Sequence, residues 1–186
     1  MEIVRAGIGI YENGKVKLIT VERDGNPAYC GSLLYSKYQT IKRVEKLLEL
    51  GDLFVVREKI KPISNLGHYV LVNGGKAEDI RLQEDVTVSL YRDVRVLENN
   101  IIKKSKKSVV REYSSPRMAF ESENVEYLYI YDKKYEEWET YAIDGKKKRF
   151  DEIWPSYRLL IKNLVYRDDI TSLTKEEWER LNYLDR

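Results

Sequence analysis

The clearest hydrophobic pattern in the chain predicts a helix over residues 41–50. Apolar residues recur there at the spacing of one helical face, and charged residues fill the positions between them. The apolar positions are Ile41, Val44, Leu47 and Leu48. Thr40 suits the N-terminal cap, and Gly51 suits the left-handed residue that ends a helix, so both ends of this element are marked.

A turn and a second helical pattern precede this helix. Residues 22–27 read Glu-Arg-Asp-Gly-Asn-Pro and end a β-rich run in an acidic turn. Asn26 can cap a helix, and Pro27 suits the first helical turn, where a missing N–H costs nothing. Apolar residues then recur at helical spacing at Leu33, Leu34 and Tyr38. The two patterns together predict an α-hairpin over residues 28–50.

Alternating apolar and polar residues predict a mainly antiparallel sheet. Residues 3–11 and 16–22 are β-rich and flank an Asn-Gly pair, the strongest short signal for a two-residue hairpin. Residues 125–131 and 138–143 alternate in the same way and predict a second hairpin. Shorter runs that favour strands cover residues 54–56, 68–72 and 86–91.

These elements predict one α+β domain: a mainly antiparallel sheet with the α-hairpin packed on one side, and C-terminal helices. Residues 1–150 form the predicted core domain, and residues 151–186 form a helical extension packed on or beside it. Thr174 and Glu177 make a capping box that marks the last helix. Lysine and serine are frequent in residues 98–116, which predicts a basic loop, either a flexible connection or a long hairpin tip.

Composition limits the classes of function. The 186 residues carry a net charge of only +2, so the charge of the whole molecule does not indicate a nucleic-acid binder. The single cysteine excludes an internal disulfide and fits a reducing cytoplasm. The first residues lack a signal-peptide pattern, and no apolar run approaches the roughly 18 residues that span a bilayer. We therefore expect a cytoplasmic protein without a membrane partner.

Few residues could carry catalysis or hold a metal. His68 is the only histidine, so it cannot form a histidine cluster for zinc. A nucleophile–base pair of Cys30 and His68 is conceivable. Cys30 lies inside the predicted first helix, however, where a buried and inert thiol is the usual finding. We predict no catalytic residue, no metal and no cofactor, and we expect a protein that is not an enzyme.

Two acidic turns are the candidate ligand sites. Asp24, with Glu22, Asp85 or Asp93, could offer oxygen ligands to a divalent cation, but Asp-Gly and Asn-Pro are also ordinary turn chemistry. In the second turn, residues 91–93, Arg92 could bind an anionic ligand or form an ion pair with the neighbouring carboxylate. The predicted ligand-binding residues are Asp24, Tyr91, Arg92 and Asp93.

Lysine runs near alternating tyrosines offer a different possibility. Basic side chains that track phosphates beside aromatic rings that stack on bases are typical of single-strand binding. A solvated lysine-rich loop beside a tyrosine-faced sheet would give the same pattern, and the small net charge favours that interpretation. The predicted nucleic-acid residues, for this alternative only, are Lys103, Lys104, Lys106 and Lys107. The second basic run covers residues 146–149, and the tyrosines are Tyr127, Tyr129 and Tyr131.

Several stretches carry a likeness to a known family. They are residues 5–10, the Asn-Gly turn, residues 22–27, the helix that ends Leu-Gly-Asp-Leu at 50–53, residues 84–93 and residues 126–129. In these positions the chain resembles a family of small proteins encoded by tailed bacteriophages. The resemblance covers about two-thirds of the chain, and residues 155–186 are additional to it. Its motif reads His-Trp-Asp-Gly-Tyr-Pro, of which Asp24, Gly25 and Pro27 remain here.

The departures from the motif bear on function. Glu22, Arg23 and Asn26 replace the histidine, tryptophan and tyrosine, so any chemistry of that histidine is lost in this chain. The resemblance implies a phage accessory protein made in the host cytoplasm. With 15 tyrosines in the chain, we expect it to bind and modulate a host protein through a tyrosine-rich surface, in host takeover or anti-defence. The alternatives are a small-molecule or nucleotide-binding protein, as a sponge or degraded enzyme, and a nucleic-acid-binding protein. The sequence leaves a homo-oligomer open.

Overall fold

The computed structural model describes residues 3–62, 69–71, 77–79, 85–104, 107–142 and 145–154. The helices expected beyond residue 154, including the capping box of Thr174 and Glu177, lie outside the described residues. His68 and Lys106 lie outside them as well.

The strands are β1 (Ala6–Glu12), β2 (Lys15–Val21), β3 (Leu53–Val55), β4 (Tyr69–Leu71), β5 (Ala77–Asp79), β6 (Val88–Ser89), β7 (Val94–Glu98), β8 (Ile101–Lys104), β9 (Arg111–Tyr113), β10 (Tyr127–Asp132), β11 (Glu137–Tyr141) and β12 (Lys147–Lys148). The helices are α1 (Ser32–Lys37), α2 (Ile41–Leu48), α3 (Leu90–Asp93), α4 (Pro116–Glu123) and α5 (Phe150–Ile153), and a π-helical turn, Pro27–Gly31, precedes α1.

Two sheets organise these elements, and the fold is mixed, with helices and a large, mainly antiparallel sheet as predicted. The large sheet has the order β12-β11-β10-β1-β2-β3-β6, and β9 also pairs with β2. The smaller sheet has the order β5-β4-β7-β8. The predicted hairpins β1–β2 and β10–β11 are both present and antiparallel. Asn13 and Gly14 adopt positive φ angles of 53° and 77° in the turn between β1 and β2, as that turn requires.

The centre of the large sheet was not predicted. β1 pairs with β10 in parallel, from Ala6 opposite Tyr127 to Tyr11 opposite Asp132. This pairing joins segments about 120 residues apart and places the two hairpins side by side. It also leaves the central strands buried on both faces, since alternate residues of these strands belong to two different core clusters.

The described residues form three core clusters: a main one, a second one across the sheet, and a small third one built from β3, β6 and the start of β7. Ile8 and Ile19 of the sheet, Leu34 of α1 and Leu47 of α2 belong to the main cluster. Leu128 belongs to the second cluster, together with residues of β2 and α4. Two-sided burial of this kind explains why β10 reads as an unbroken apolar and aromatic run.

The expectation of a tyrosine-rich surface on β10 is corrected by this packing. Tyr129 and Tyr131 are fully buried, with 0% and 1% of their surfaces exposed. Their hydroxyls donate to the carbonyls of Gly25 and Gln39, both at 3.0 Å. A tyrosine in the core satisfies its polar end in this way, so alternation along β10 does not produce an exposed aromatic face.

The segment between β7 and α4 also differs from expectation. Residues 98–116, predicted as a basic loop, contain the end of β7, β8, β9 and the start of α4. Ser115 caps α4 by accepting from the Met118 amide at 3.2 Å, and Pro116 occupies the first helical position. Ser-Pro before a helix is a start signal that the lysine-rich composition obscured.

The two helices predicted within residues 28–50 begin and end close to the expected residues. The side chain of Asn26 accepts from the Tyr29 amide at 3.0 Å, which confirms its capping role. Thr40 occupies the N-terminal cap position of α2 without a side-chain capping bond. Gly51 has a φ of +68° after the helix, as its left-handed role requires.

Candidate anion-binding site

The acidic turn at residues 22–27 is held by internal contacts. Asp24 is buried, and its carboxylate lies 3.3 Å from the Arg57 guanidinium. Asn26 serves the helix cap, and the Gly25 amide donates to the Val4 carbonyl at 3.0 Å. These contacts are what a turn and a helix start need, so the residues of this turn have a structural role.

The second acidic turn is an internal brace. Arg92 donates to both carboxylate oxygens of Asp93, at 2.8 and 2.9 Å, and to the Lys61 carbonyl at 3.0 Å. Asp93 is buried and also accepts from the Ser89 amide at 2.8 Å. Asp24 is therefore paired with Arg57, and Arg92 is paired with Asp93.

A third ionic cluster, centred on Arg111, was not predicted. Arg111 donates to the two carboxylate oxygens of Asp52 at 2.9 and 2.7 Å, and it also pairs with Glu123. The Thr20 amide donates to Asp52 at 2.8 Å, and the Tyr113 hydroxyl donates to Glu123. We call this set the Arg111 cluster; it joins the chain after α2 to β2, β9 and α4.

The Arg111 cluster sets the ionisation of its carboxylate. Burial acts to raise the pKa of Asp52, but hydrogen bonds from Arg111 and Thr20, with the Arg111 charge, outweigh it and hold the pKa below 3.8. Asp52 therefore stays charged in the folded protein at neutral pH. Its contacts bind elements of the fold to one another, which is a structural function.

The surroundings of the single cysteine disfavour its thiolate form. Cys30 is buried, and that burial, together with the charge of Asp24, raises the pKa of the thiol well above its usual range. In the part of the chain that the structure describes, no group of three or more His, Cys, Asp or Glu could hold a metal ion. No helix in the same residues is long and apolar enough to cross a membrane.

A basic cleft lies along the outer face of α2, between this helix and residues 59–62. Its first depression, which we call the basic half, has a volume of about 490 Å³. The lining side chains are Thr40, Lys42, Arg43, Lys46, Lys59, Ile60 and Lys61. Five of these carry a positive charge, and no carboxylate of the described residues lines this half.

A second depression, the mixed half of the cleft, adjoins the first. It has a volume of about 640 Å³ and shares Lys46, Ile60 and Lys61 with the basic half. Its other lining residues are Glu49, Leu50, Pro62, Ser89, Tyr91 and Arg92. Three cations line this half instead of five, and apolar and aromatic side chains and one carboxylate accompany them, so the two halves differ in chemistry.

The cations of the basic half differ in their partners. Lys59 pairs with Asp85, while Arg43 donates to the Glu58 carbonyl at 2.5 Å and lies over the Tyr38 ring at 4.8 Å. Lys42 and Lys46 are exposed, and neither forms an ion pair with a described residue. The ammonium groups of Lys42 and Lys46 are thus exposed on one face of α2, next to two cations that contacts within the fold hold in place.

The predicted residues divide between the cleft and the interior. Tyr91 and Arg92 line the mixed half, whereas Asp24 and Asp93 are buried in their own ion pairs. Among the predicted nucleic-acid lysines, Lys103 pairs with Glu98 at 3.0 Å, and the Lys104 ammonium lies 4.8 Å from the centre of the Tyr91 ring. Lys107 lies just beyond β8 and is exposed.

Two lysine patterns in the sequence mark the residues of this cleft. Lys42 and Lys46 are four residues apart on one face of α2, and a Lys-Ile-Lys run covers 59–61. Each pattern alone is typical of a solvated surface. Only the fold brings the two together.

Comparison with known proteins adds no further constraint. No family model, no curated protein and no solved structure matches this chain. The resemblance to the phage family therefore stays a prediction.

Proposed function

We propose that this protein is a non-enzymatic binding protein that holds a phosphate-bearing anion in the basic half of the cleft. The observation that carries the proposal is the concentration of five cationic side chains around one depression, in a chain whose net charge is only +2. Charge gathered at one place is the electrostatic footprint of an anion site, even when the whole molecule is nearly neutral.

The types of cation suit phosphate. Lysine binds phosphate as a flexible point charge, and arginine offers a planar fork of donors. Lys42 and Lys46 supply the mobile charges, while Arg43 is fixed by the Glu58 carbonyl and the Tyr38 ring. Mobile and fixed donors together can close on a tetrahedral anion without rebuilding the site.

The site rests on the placement of α2. We propose that α1 and α2 form the predicted α-hairpin on one side of the sheet, supported by Leu34 and Leu47, which share a cluster with Ile8 and Ile19. The apolar face of α2 then packs inward, and its lysine face remains for the ligand.

The phage resemblance supplies a proposed setting. In a phage-infected bacterial cell, a protein of this kind could sequester a phosphate-bearing host or defence molecule. Tyr129 and Tyr131 are in the core and cannot contribute to a tyrosine-rich surface, whereas Tyr135 is exposed, so binding to a host protein through tyrosines stays a hypothesis. The basic cleft makes an anionic ligand the better-supported partner.

Thermal unfolding with inorganic tripolyphosphate tests the proposal. A ligand that binds only the native state at ten times its Kd stabilises that state by about 1.4 kcal/mol. We expect the melting temperature to rise with tripolyphosphate and not with sodium chloride of equal ionic strength.

A pair of double variants locates the effect. Lys42→Gln with Lys46→Gln removes two charges from the cleft and should abolish most of the shift. Arg117→Gln with Lys134→Gln removes two exposed charges elsewhere and should leave it unchanged. Equal shifts in both double variants, or none in the wild type, would refute the proposal.

A further inference from the structure

We infer that the anion is a nucleotide unit, with its phosphates in the basic half and its base against Tyr91 in the mixed half. The inference rests on the proposed function and adds the class of ligand. It names chemistry shared by a free nucleoside polyphosphate and by a strand of nucleic acid, and the experiment below separates the two.

The two halves of the cleft match the two ends of a nucleotide. Cations dominate the basic half, which suits phosphates. Leu50, Pro62 and Tyr91 line the mixed half beside the carboxylate of Glu49. Of the three cations in this half, two are shared with the basic half, and the third, Arg92, is already paired with Asp93. The Glu49 carboxylate repels phosphate but accepts hydrogen bonds from the amino and imino groups of bases, so this half favours a base over a second phosphate.

The halves are continuous, as a single ligand requires. Lys46, Ile60 and Lys61 line both of them. A phosphate held between Lys46 and Lys61 is therefore next to the mixed half, where an attached sugar and base would extend. Each half has the volume of an ordinary small-molecule pocket, so one nucleotide across their boundary is accommodated.

Tyr91 is the stacking platform of this arrangement. It lies in α3 beside the braced Arg92, and its hydroxyl makes no hydrogen bond with a described residue. The exposed Lys104 covers the ring from 4.8 Å, in a cation–π contact that uses its π face.

Calorimetric titrations in EDTA separate the base from the phosphates. The four probes are tripolyphosphate, ATP, a six-residue oligoadenylate and an abasic oligonucleotide of the same length. We expect ATP to bind about tenfold tighter than tripolyphosphate, or the oligoadenylate about tenfold tighter than its abasic counterpart. The first result identifies a free nucleotide and the second a strand.

Variants of Tyr91 test the position of the base. Tyr91→Leu should remove the tenfold advantage of the base-bearing probe over its base-free counterpart, while Tyr91→Phe should keep that advantage. Base-bearing and base-free probes of equal affinity in the wild type, or an advantage that survives in Tyr91→Leu, would overturn this inference alone. Failure of tripolyphosphate to bind would instead overturn the proposed function beneath it.

Discussion

The Arg111 cluster and the basic half of the cleft use the same kinds of side chain for opposite purposes. Arg111 has two carboxylates within reach, and the fold supplies both. Lys42 and Lys46 have no ion pair with a described residue, although three further cations line the same depression. The carboxylates that balance Arg111 belong to the fold, whereas we propose that an external anion balances the charges of the cleft.

This difference shows how charge divides its work in a nearly neutral protein. Charges that join distant strands and helices are paired, partly buried and bidentate, and they stabilise the fold. Charges gathered on one exposed helical face gain little stability and remain available to a ligand. Substitutions in the Arg111 cluster and in the basic half of the cleft test this difference.

The largest effect is expected from Arg111→Ala. It leaves Asp52 and Glu123 without their shared cation and should lower the free energy of unfolding by about 3 kcal/mol. Urea denaturation measures this as a fall in the midpoint at constant slope. Lys15→Ala serves as the control. It breaks the exposed ion pair between Lys15 and Glu112, which lies next to Arg111 in β9, and its free energy of unfolding should stay close to that of the wild type. Equal losses in the two variants would contradict the structural role of the cluster.

Asp52→Asn should have the next largest effect, about 2 kcal/mol at neutral pH, because the hydrogen bonds from Arg111 lose their charged acceptor. Its pH dependence follows from the lowered pKa of Asp52. Since the folded pKa lies below the unfolded value of 3.8, the contribution is present above about pH 5 and is lost as the pH falls through and below 3.8. The wild type and Asp52→Asn should therefore converge in stability in acid. A difference in the free energy of unfolding between the wild type and Asp52→Asn that stays constant down to pH 2 would show that the charge of Asp52 does not contribute to stability.

Tyr129→Phe tests whether the tyrosines serve the core. The Gly25 carbonyl would lose its buried donor, which should cost about 1 kcal/mol in urea denaturation. Tyr135→Phe removes the hydroxyl of an exposed tyrosine and should cost nothing measurable. If Tyr129→Phe is as stable as the wild type, the Tyr129 hydroxyl does not contribute to the stability of the core.

Local signals in the sequence were sufficient for the elements whose ends carry special residues. The Asn-Gly turn fixed the first hairpin, and Asn26 with Pro27 fixed the start of the first helical segment. Turns and caps depend on neighbours in the sequence, so they can be predicted from it.

Long-range contacts account for what was missed. Nothing near Ala6 specifies its parallel partner Tyr127, and that pairing is what buries both faces of β10. The cleft needs α2 beside residues 59–62, and the Arg111 cluster needs Asp52 beside β9. Of the predicted ligand residues, Tyr91 and Arg92 reach the cleft through such contacts, and no local pattern distinguishes them from Asp93.

The smallest effect on stability is expected from the double variant Lys42→Gln, Lys46→Gln, since neither lysine has an ionic partner among the described residues. Its unfolding midpoint should match the wild type, while its affinity for tripolyphosphate should fall about tenfold. A loss of stability comparable with that of Arg111→Ala would erase the distinction between the two regions.

Amide chemical-shift mapping with tripolyphosphate shows directly whether the anion binds in the basic half of the cleft, because it locates the binding site without any substitution. We expect the largest chemical-shift changes in residues 40–46 and 59–61, with little change around Arg111. Changes centred on residues 101–107 or on the turn at Asp24, or spread evenly over the surface, would contradict it.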